Sequence, residues 1–192
     1  MKILLIAATS DEIIQELFPN AEILISGVGM VNTTYGLTKD LSVNSYDLVI
    51  NMGVAGCFNP TVKIGDVVEV VEDCFSEIGI ENGVKFEEFS DFEITNTFKV
   101  EGKTNLQKVK GITVNTVHGN EDSIARIISR LNPDVESMEG AAIFKVCKEF
   151  AVPCMQIRAI SNKVEKRNRE NWNMPLAIQN LNTTVQQIIV AL

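Results

Sequence analysis

Glu136-Ser137-Met138-Glu139-Gly140-Ala141-Ala142, continued through Arg158-Ala159-Ile160-Ser161-Asn162, is the stretch on which the fold of this 192-residue chain turns. Read locally it is a turn, a helix, a buried strand and a polar tip. Apolar residues at Ala142/Ile143, Val146/Cys147 and Phe150 recur with the period of one helix face, and Lys145, Lys148 and Glu149 fall on the wet side. Pro153 stops the helix, and Cys154 to Ile160 then reads as a mostly apolar, buried strand. Two charges do not suit a purely structural reading: Glu139 at the helix start and Arg158 inside the apolar strand. A buried unpaired charge is costly, so Arg158 requires a carboxylate or a ligand beside it. Ser161 and Asn162 follow where the strand should end, and that end of a parallel sheet is where α/β folds place ligands.

Working outward, strands alternate with helices. Lys2–Ala8 is expected as a first strand and Thr9 to Phe18 as a short helix; Glu22–Ser26 is a second strand, closed by Gly27-Val28-Gly29. Val31–Leu41 is a helix, and Asp47–Met52 a third strand with a glycine turn, Gly53-Val54-Ala55-Gly56, at its tip. Val67–Val71 follows the turn Lys63-Ile64-Gly65-Asp66, and Phe75 to about Thr104 is the least regular part. Ile112–Val117 reads as a strand, Asp122–Leu131 as a helix capped from Glu121-Asp122-Ser123, and Lys163–Asn173 as a charged loop. Pro175 suits the first turn of a last helix reaching Leu192. The alternation predicts one α/β domain over residues 1–192, its mixed or parallel sheet sandwiched by helices.

Composition narrows the function. Hydrophobic residues at 45% and charged ones at 22% are ordinary for a globular protein, so a well-buried core is expected. A net charge of -8 argues against a nucleic-acid partner, which needs a basic face. Four cysteines without C-x-x-C spacing and a single histidine are too few for a zinc site, so neither metal nor cofactor is expected. The apolar opening is short and reads as a strand, and no run approaches the ~20 apolar residues of a membrane span. A soluble cytoplasmic protein with reduced thiols is the expectation.

The polar candidates each have a plain structural reading. Thr9-x-x-Glu12 fits a capping box as well as a catalytic carboxylate. Glu139 could be a first-turn carboxylate favoured by the helix dipole, and Arg158 the counter-ion of either Glu12 or Glu139. Asn162 could be a helix cap or turn residue, His118 beside Gly119 reads as a loop residue, and Trp172 as helix packing, with the rim of a pocket as its alternative. Gly27-Val28-Gly29 lacks the third glycine of a dinucleotide fingerprint, and Gly53 to Gly56 lacks the Lys-Ser/Thr of a P-loop. Gly53, Val54 and Ala55 are therefore read as a backbone against which a ligand lies. Together the two carboxylates, the arginine and the amide sit where an α/β sheet gathers its site, and could cradle a neutral, hydroxyl-rich ligand and a water.

These residues resemble a known family. Met1-Lys2-Ile3 with Ala7-Ala8 and Glu12, the glycine segments Ser26–Gly29 and Asn51–Gly56, the Met138-Glu139 pair and Arg158-Ala159-Ile160-Ser161 are similar to motifs of the nucleoside phosphorylase and nucleosidase superfamily. Phe75-Ser76-Glu77-Ile78-Gly79 and Arg169 to Trp172 resemble the futalosine hydrolases of the menaquinone pathway more than the adenosine-type nucleosidases. The resemblance implies a three-layer α/β/α sandwich with a central mixed sheet, a homo-oligomer (dimer or higher), and cleavage of a purine from C1′ of its ribose. By resemblance Glu139 binds the ribose hydroxyls with Met138 packed on the sugar, Glu12 activates a water that Arg158 helps position, and Ser161 and Asn162 meet the substrate at the base. Asn162 stands where the adenosine-type enzymes carry Asp. An amide N–H₂ donates to N7 or O6 of hypoxanthine, whereas an ionised carboxylate beside O6 is repelled. A 6-oxopurine nucleoside is expected, and water is preferred over phosphate because the glycine segments carry no arginine. Arg167 or Arg169 are candidates for an acidic tail on C5′.

Overall fold

The computed structural model describes residues 1–83 and 85–192. The part expected to be least regular, Phe75 to about Thr104, holds short strands at Ile80–Asn82, Lys85–Glu87 and Thr97–Lys99, and position 84 within it lies outside the described residues. Among the described residues ten strands and four α-helices follow in this order: β1 (Ile3–Ala7), β2 (Glu22–Ile25), α1 (Met30–Leu41), β3 (Leu48–Cys57), β4 (Val67–Cys74), β5 (Ile80–Asn82), β6 (Lys85–Glu87), β7 (Thr97–Lys99), β8 (Gln107–Thr113), α2 (Glu121–Leu131), β9 (Val135–Ser137), α3 (Gly140–Glu149), β10 (Cys154–Lys163) and α4 (Met174–Ala191).

The sheet is mixed. β1 lies parallel to β2 and β3, and β10 parallel to β3, while β4 runs antiparallel to β10 and β9 antiparallel to β3. Since β4 joins β8 and β8 joins β9, the path β3-β10-β4-β8-β9 returns to β3 and curls that half of the sheet into a closed ring. Alternation along the strands builds the layers. Ile3, Leu5 and Ala7 of β1 face one cluster with Ile50 and Met52 of β3 and with Ala177, Leu181 and Val185 of α4. Leu4 and Ile6 face the opposite cluster, made with Leu37 and Leu41 of α1 and Ile143 and Cys147 of α3. Helices therefore cover both sides of a central mixed sheet, the expected three-layer sandwich. A third cluster, with Ala55, Val68, Val70, Val109 and Ile160, fills the ring.

Five local expectations are corrected. Gly53 to Gly56 is not a turn: β3 runs on to Cys57 because β10 pairs with it residue by residue, Arg158 opposite Gly53 and Ile160 opposite Ala55. Tertiary pairing overrides the turn preference of glycine here. Thr9 to Phe18 forms two single 3-10 turns, Ser10–Glu12 and Gln15–Leu17, instead of a helix. The strand expected at Ile112–Val117 is β8 at Gln107–Thr113, and the cap of α2 is Asn120, whose Oδ1 accepts from Asp122 and Ser123 N–H. β10 also extends through Ser161 and Asn162, which were expected beyond the strand end.

Candidate active site

The carboxyl ends of β1, β3, β9 and β10 surround a cavity of about 310 Å³. Among the residues on its wall are Glu12, Val54, Ala55, Met138, Glu139, Ser161 and Asn162. Gly53 and Arg158 lie behind that wall, and Arg158 is only 1% exposed.

Each carboxylate is held by backbone N–H groups. Glu12 Oε2 accepts from Thr9 N–H at 3.1 Å, as a capping box requires, and its Oε1 accepts from Val54 N–H at 3.0 Å. The capping reading is thus correct and incomplete: the same side chain also ties the first 3-10 turn to β3 and borders the cavity. Glu139 Oε1 accepts from Gly29 N–H at 3.0 Å, so the segment Gly27-Val28-Gly29 contributes a donor to this carboxylate. Its Oε2 lies 4.0 Å from Arg158 Nη2.

Arg158 is locked by amides of fixed polarity. Asn51 Nδ2 donates to the carbonyl of Ile6, which leaves Asn51 Oδ1 to accept from Arg158 Nη2 at 2.5 Å. Gln156 Nε2 donates to Asp73 Oδ2 at 2.9 Å, which leaves Gln156 Oε1 for Arg158 Nε at 2.9 Å. Asp73 in turn accepts from the Thr113 hydroxyl at 3.0 Å, and that hydroxyl accepts Ala141 N–H at the start of α3. Only glycine fits opposite the guanidinium. A Cβ on Gly53 would overlap Arg158 and stand 2.9 Å from Glu12 Oε1. Asn51, Asp73, Thr113 and Gln156 were missed from the sequence, although polar residues inside buried strands were a usable signal.

Burial pushes the Asp73 carboxyl up to about 6, against the opposing pull of its Gln156 and Thr113 bonds and the Arg158 charge. A carboxyl whose folded value lies above its unfolded one favours folding fully at low pH, and that contribution fades as pH rises through the folded value. Compared with Asp73→Asn, the wild type should gain urea resistance between pH 7.5 and pH 5. An identical pH dependence in the two proteins would remove Asp73 as its source.

Asn162 owes its placement to a bulge. The β3–β10 register shifts between Ile160 and Asn162, so Asn162 and not Ser161 stands opposite Gly56. Its amide is also polarised: Oδ1 accepts from Ser161 Oγ at 2.8 Å, and Nδ2 donates to the carbonyl of Lys163 at 2.8 Å. A carbonyl only accepts, so nitrogen is fixed on that side and one N–H remains for a ligand. Trp172 borders the cavity, the alternative its sequence left open, with Arg167 and Arg169 at 5.3 and 5.9 Å from its ring centre. Lys163 also reaches the cavity wall, but its Nζ is bonded to the carbonyls of Asn59 and Val62. Among the described residues no cluster of three His, Cys, Asp or Glu could hold a metal, and no helix is long and apolar enough to cross a membrane.

A family model described as the Phosphorylase superfamily matches residues 19–192. A 5′-methylthioadenosine/S-adenosylhomocysteine nucleosidase of Marinomonas sp. (strain MWYL1) is 29% identical over 185 residues, covering 87% of this chain and 79% of that protein. The futalosine hydrolase of Thermus thermophilus is 24% identical over 179 residues, covering 86% and 80%. Among solved structures, a mutant methylthioadenosine/S-adenosylhomocysteine nucleosidase of Helicobacter pylori with 5′-methylthioadenosine in the active site superposes with a TM-score of 0.87 at 20% identity, covering 100% of this chain and 99% of that one.

Proposed function

From the premise that this chain belongs to the phosphorylase superfamily, we propose that it hydrolyses the N-glycosidic bond of a 6-oxopurine nucleoside, futalosine, releasing hypoxanthine. The supporting observation is the Asn162 amide, whose bonds to Ser161 and Lys163 leave one N–H at the cavity. That hydrogen suits O6 or N7 of a 6-oxopurine. Relatives of both substrate classes are found, and the nucleosidase reading itself draws on both.

In this reading Met138 and Glu139 hold the ribose, and Glu139 receives the 2′- and 3′-hydroxyls. Water adds to C1′ as the bond to N9 breaks, and the bond's electron pair leaves with the base. Glu12 takes the water's proton, and the base regains a proton on release, so the products are a free sugar hydroxyl and neutral base. Negative charge near the sugar stabilises its oxocarbenium-like transition state. Arg158, held by Asn51 and Gln156, fixes Glu139 from behind instead of meeting the substrate. Among the described residues the cavity wall carries only Lys163 and Arg167 as Lys or Arg side chains, and Lys163 Nζ is bonded to main-chain carbonyls; this supports water over phosphate, since phosphate binding wants several charge-assisted donors.

Asn162→Asp tests the base assignment. A carboxylate there should lower kcat/KM for inosine by the ~1–3 kcal/mol that mispairing a buried polar group costs. An unchanged preference between inosine and methylthioadenosine would break the link between Asn162 and the 6-oxo group. The second reading is a methylthioadenosine/S-adenosylhomocysteine nucleosidase, favoured by the higher identity of 29% against 24%.

We also propose self-association through α1. Val31 and Tyr35 are 76% and 69% exposed there, and with Phe75 and Ile78 they line one apolar hollow. α1 starts one residue after Gly29, which donates to Glu139, so a second copy on this face would sit beside the ribose end. Sedimentation of the wild type and of Tyr35→Glu should give an oligomer and a smaller species; a monomeric wild type would refute it.

A further inference from the structure

His118 and Glu136 border the same cavity and have no part in the reaction as described above. Glu136 is 4% exposed. Its Oε1 accepts the backbone N–H of His118 at 3.1 Å, and its Oε2 stands 2.7 Å from Nδ1 of the same residue. One carboxylate thus holds both the main chain and the ring of the single histidine in the chain. Phe58 steadies the ring edge-on, with centroids 6.1 Å apart. The pair adjoins Asn162: a Cβ placed on Gly56 would lie 3.3 Å from Asn162 Nδ2 and 3.5 Å from Glu136 Cγ. On its far side His118 borders a second hollow, whose wall carries the charged groups Glu77, Glu81, Lys85, Glu87, Arg126 and Arg130.

Glu136 fixes the polarity of the ring. A carboxylate can only accept, so in the neutral imidazole the proton sits on Nδ1 and Nε2 carries the lone pair. No bond to Nε2 is made among the described residues. We propose that His118, held by Glu136, is a specificity-determining residue whose Nε2 accepts N1–H of a 6-oxopurine; this rests on the nucleosidase reading. A 6-oxopurine offers N1–H as donor beside O6 as acceptor, and it meets an acceptor at His118 and a donor at Asn162. A 6-aminopurine offers the reverse at both positions, setting its N1 lone pair against that of Nε2. Two adjoining side chains, each with its polarity set by a protein partner, then read the same edge of the base.

Glu136→Gln turns this into a test. The backbone N–H of His118 needs an acceptor, so the new amide oxygen takes it and the amide N–H₂ faces Nδ1. The ring proton then moves to Nε2, which becomes a donor. Binding of free hypoxanthine and free adenine is measured by calorimetry on the intact chain. The hypoxanthine-to-adenine affinity ratio should fall by about tenfold or more in Glu136→Gln, the scale on which a site rejects a ligand that leaves its polar groups unpaired. His118→Phe keeps the ring's bulk and removes both nitrogens; hypoxanthine should weaken by about tenfold and adenine by less than about threefold. A ratio unchanged in whichever of these variants folds overturns the assignment of His118. A wild type that binds neither base overturns the nucleosidase reading itself, whatever the variants do.

Discussion

Replacing Glu12 by Gln should lower kcat by about 10²–10⁴, the usual contribution of a positioned general base. The same change carries a structural cost, because both carboxylate oxygens accept backbone N–H groups, from Thr9 and from Val54. The amide N–H₂ of Gln must face one of them, so about 1–3 kcal/mol of stability should go as well. Far-UV circular dichroism at 25 °C should nevertheless match the wild type, since the turn at Ser10–Glu12 keeps its backbone bonds. The two effects separate in the assay: a stability loss lowers the amount of folded enzyme slightly, whereas loss of the base lowers the rate of every folded molecule. A rate within about threefold of wild type would leave Glu12 as a capping residue alone.

Arg158→Met should produce the largest loss of stability of any single substitution near the cavity. The guanidinium is 1% exposed and donates to Asn51 and Gln156, which have turned their acceptor oxygens toward it because their N–H₂ groups are committed to Ile6 and Asp73. Methionine fills much of the volume but leaves two buried oxygens without donors and Glu139 without its nearest positive charge. Removing one partner of such a buried set costs about 3–5 kcal/mol, which should appear as a lower urea midpoint with an unchanged slope. Activity should fall with it, since Glu139 then relies on Gly29 N–H alone for its position. A midpoint shift below about 1 kcal/mol would mean that the amides repack and that Arg158 does not organise this layer.

The sequence was most legible where periodicity and position agree. α3 from Gly140, β10 from Cys154 and α4 opening at Pro175 follow from apolar spacing and proline, which act locally. Glycine misled at Gly53 to Gly56. Its turn propensity is local, whereas its use there is tertiary, making room for Arg158 across the strand pair. The bulge that brings Asn162 opposite Gly56 left no mark in the sequence, because it depends on register with β3. The closure of the sheet through β8 and β9 was equally hidden, being set by pairings between strands distant along the chain. Of the site, Glu12, Glu139 and Asn162 were named from residue type and place, and the structure puts all three on one cavity wall. Glu136 escaped notice because it read as part of a turn; its burial and its hold on His118 appear only once β9 is paired between β3 and β8.

The most direct test is incubation of the purified chain with futalosine, inosine and methylthioadenosine in turn, with and without inorganic phosphate, followed by chromatography for free base. Hypoxanthine should be released from futalosine at the same rate whether phosphate is present or not, and adenine release from methylthioadenosine should be far slower. Base release that requires phosphate, or release of adenine in preference to hypoxanthine, would contradict the account.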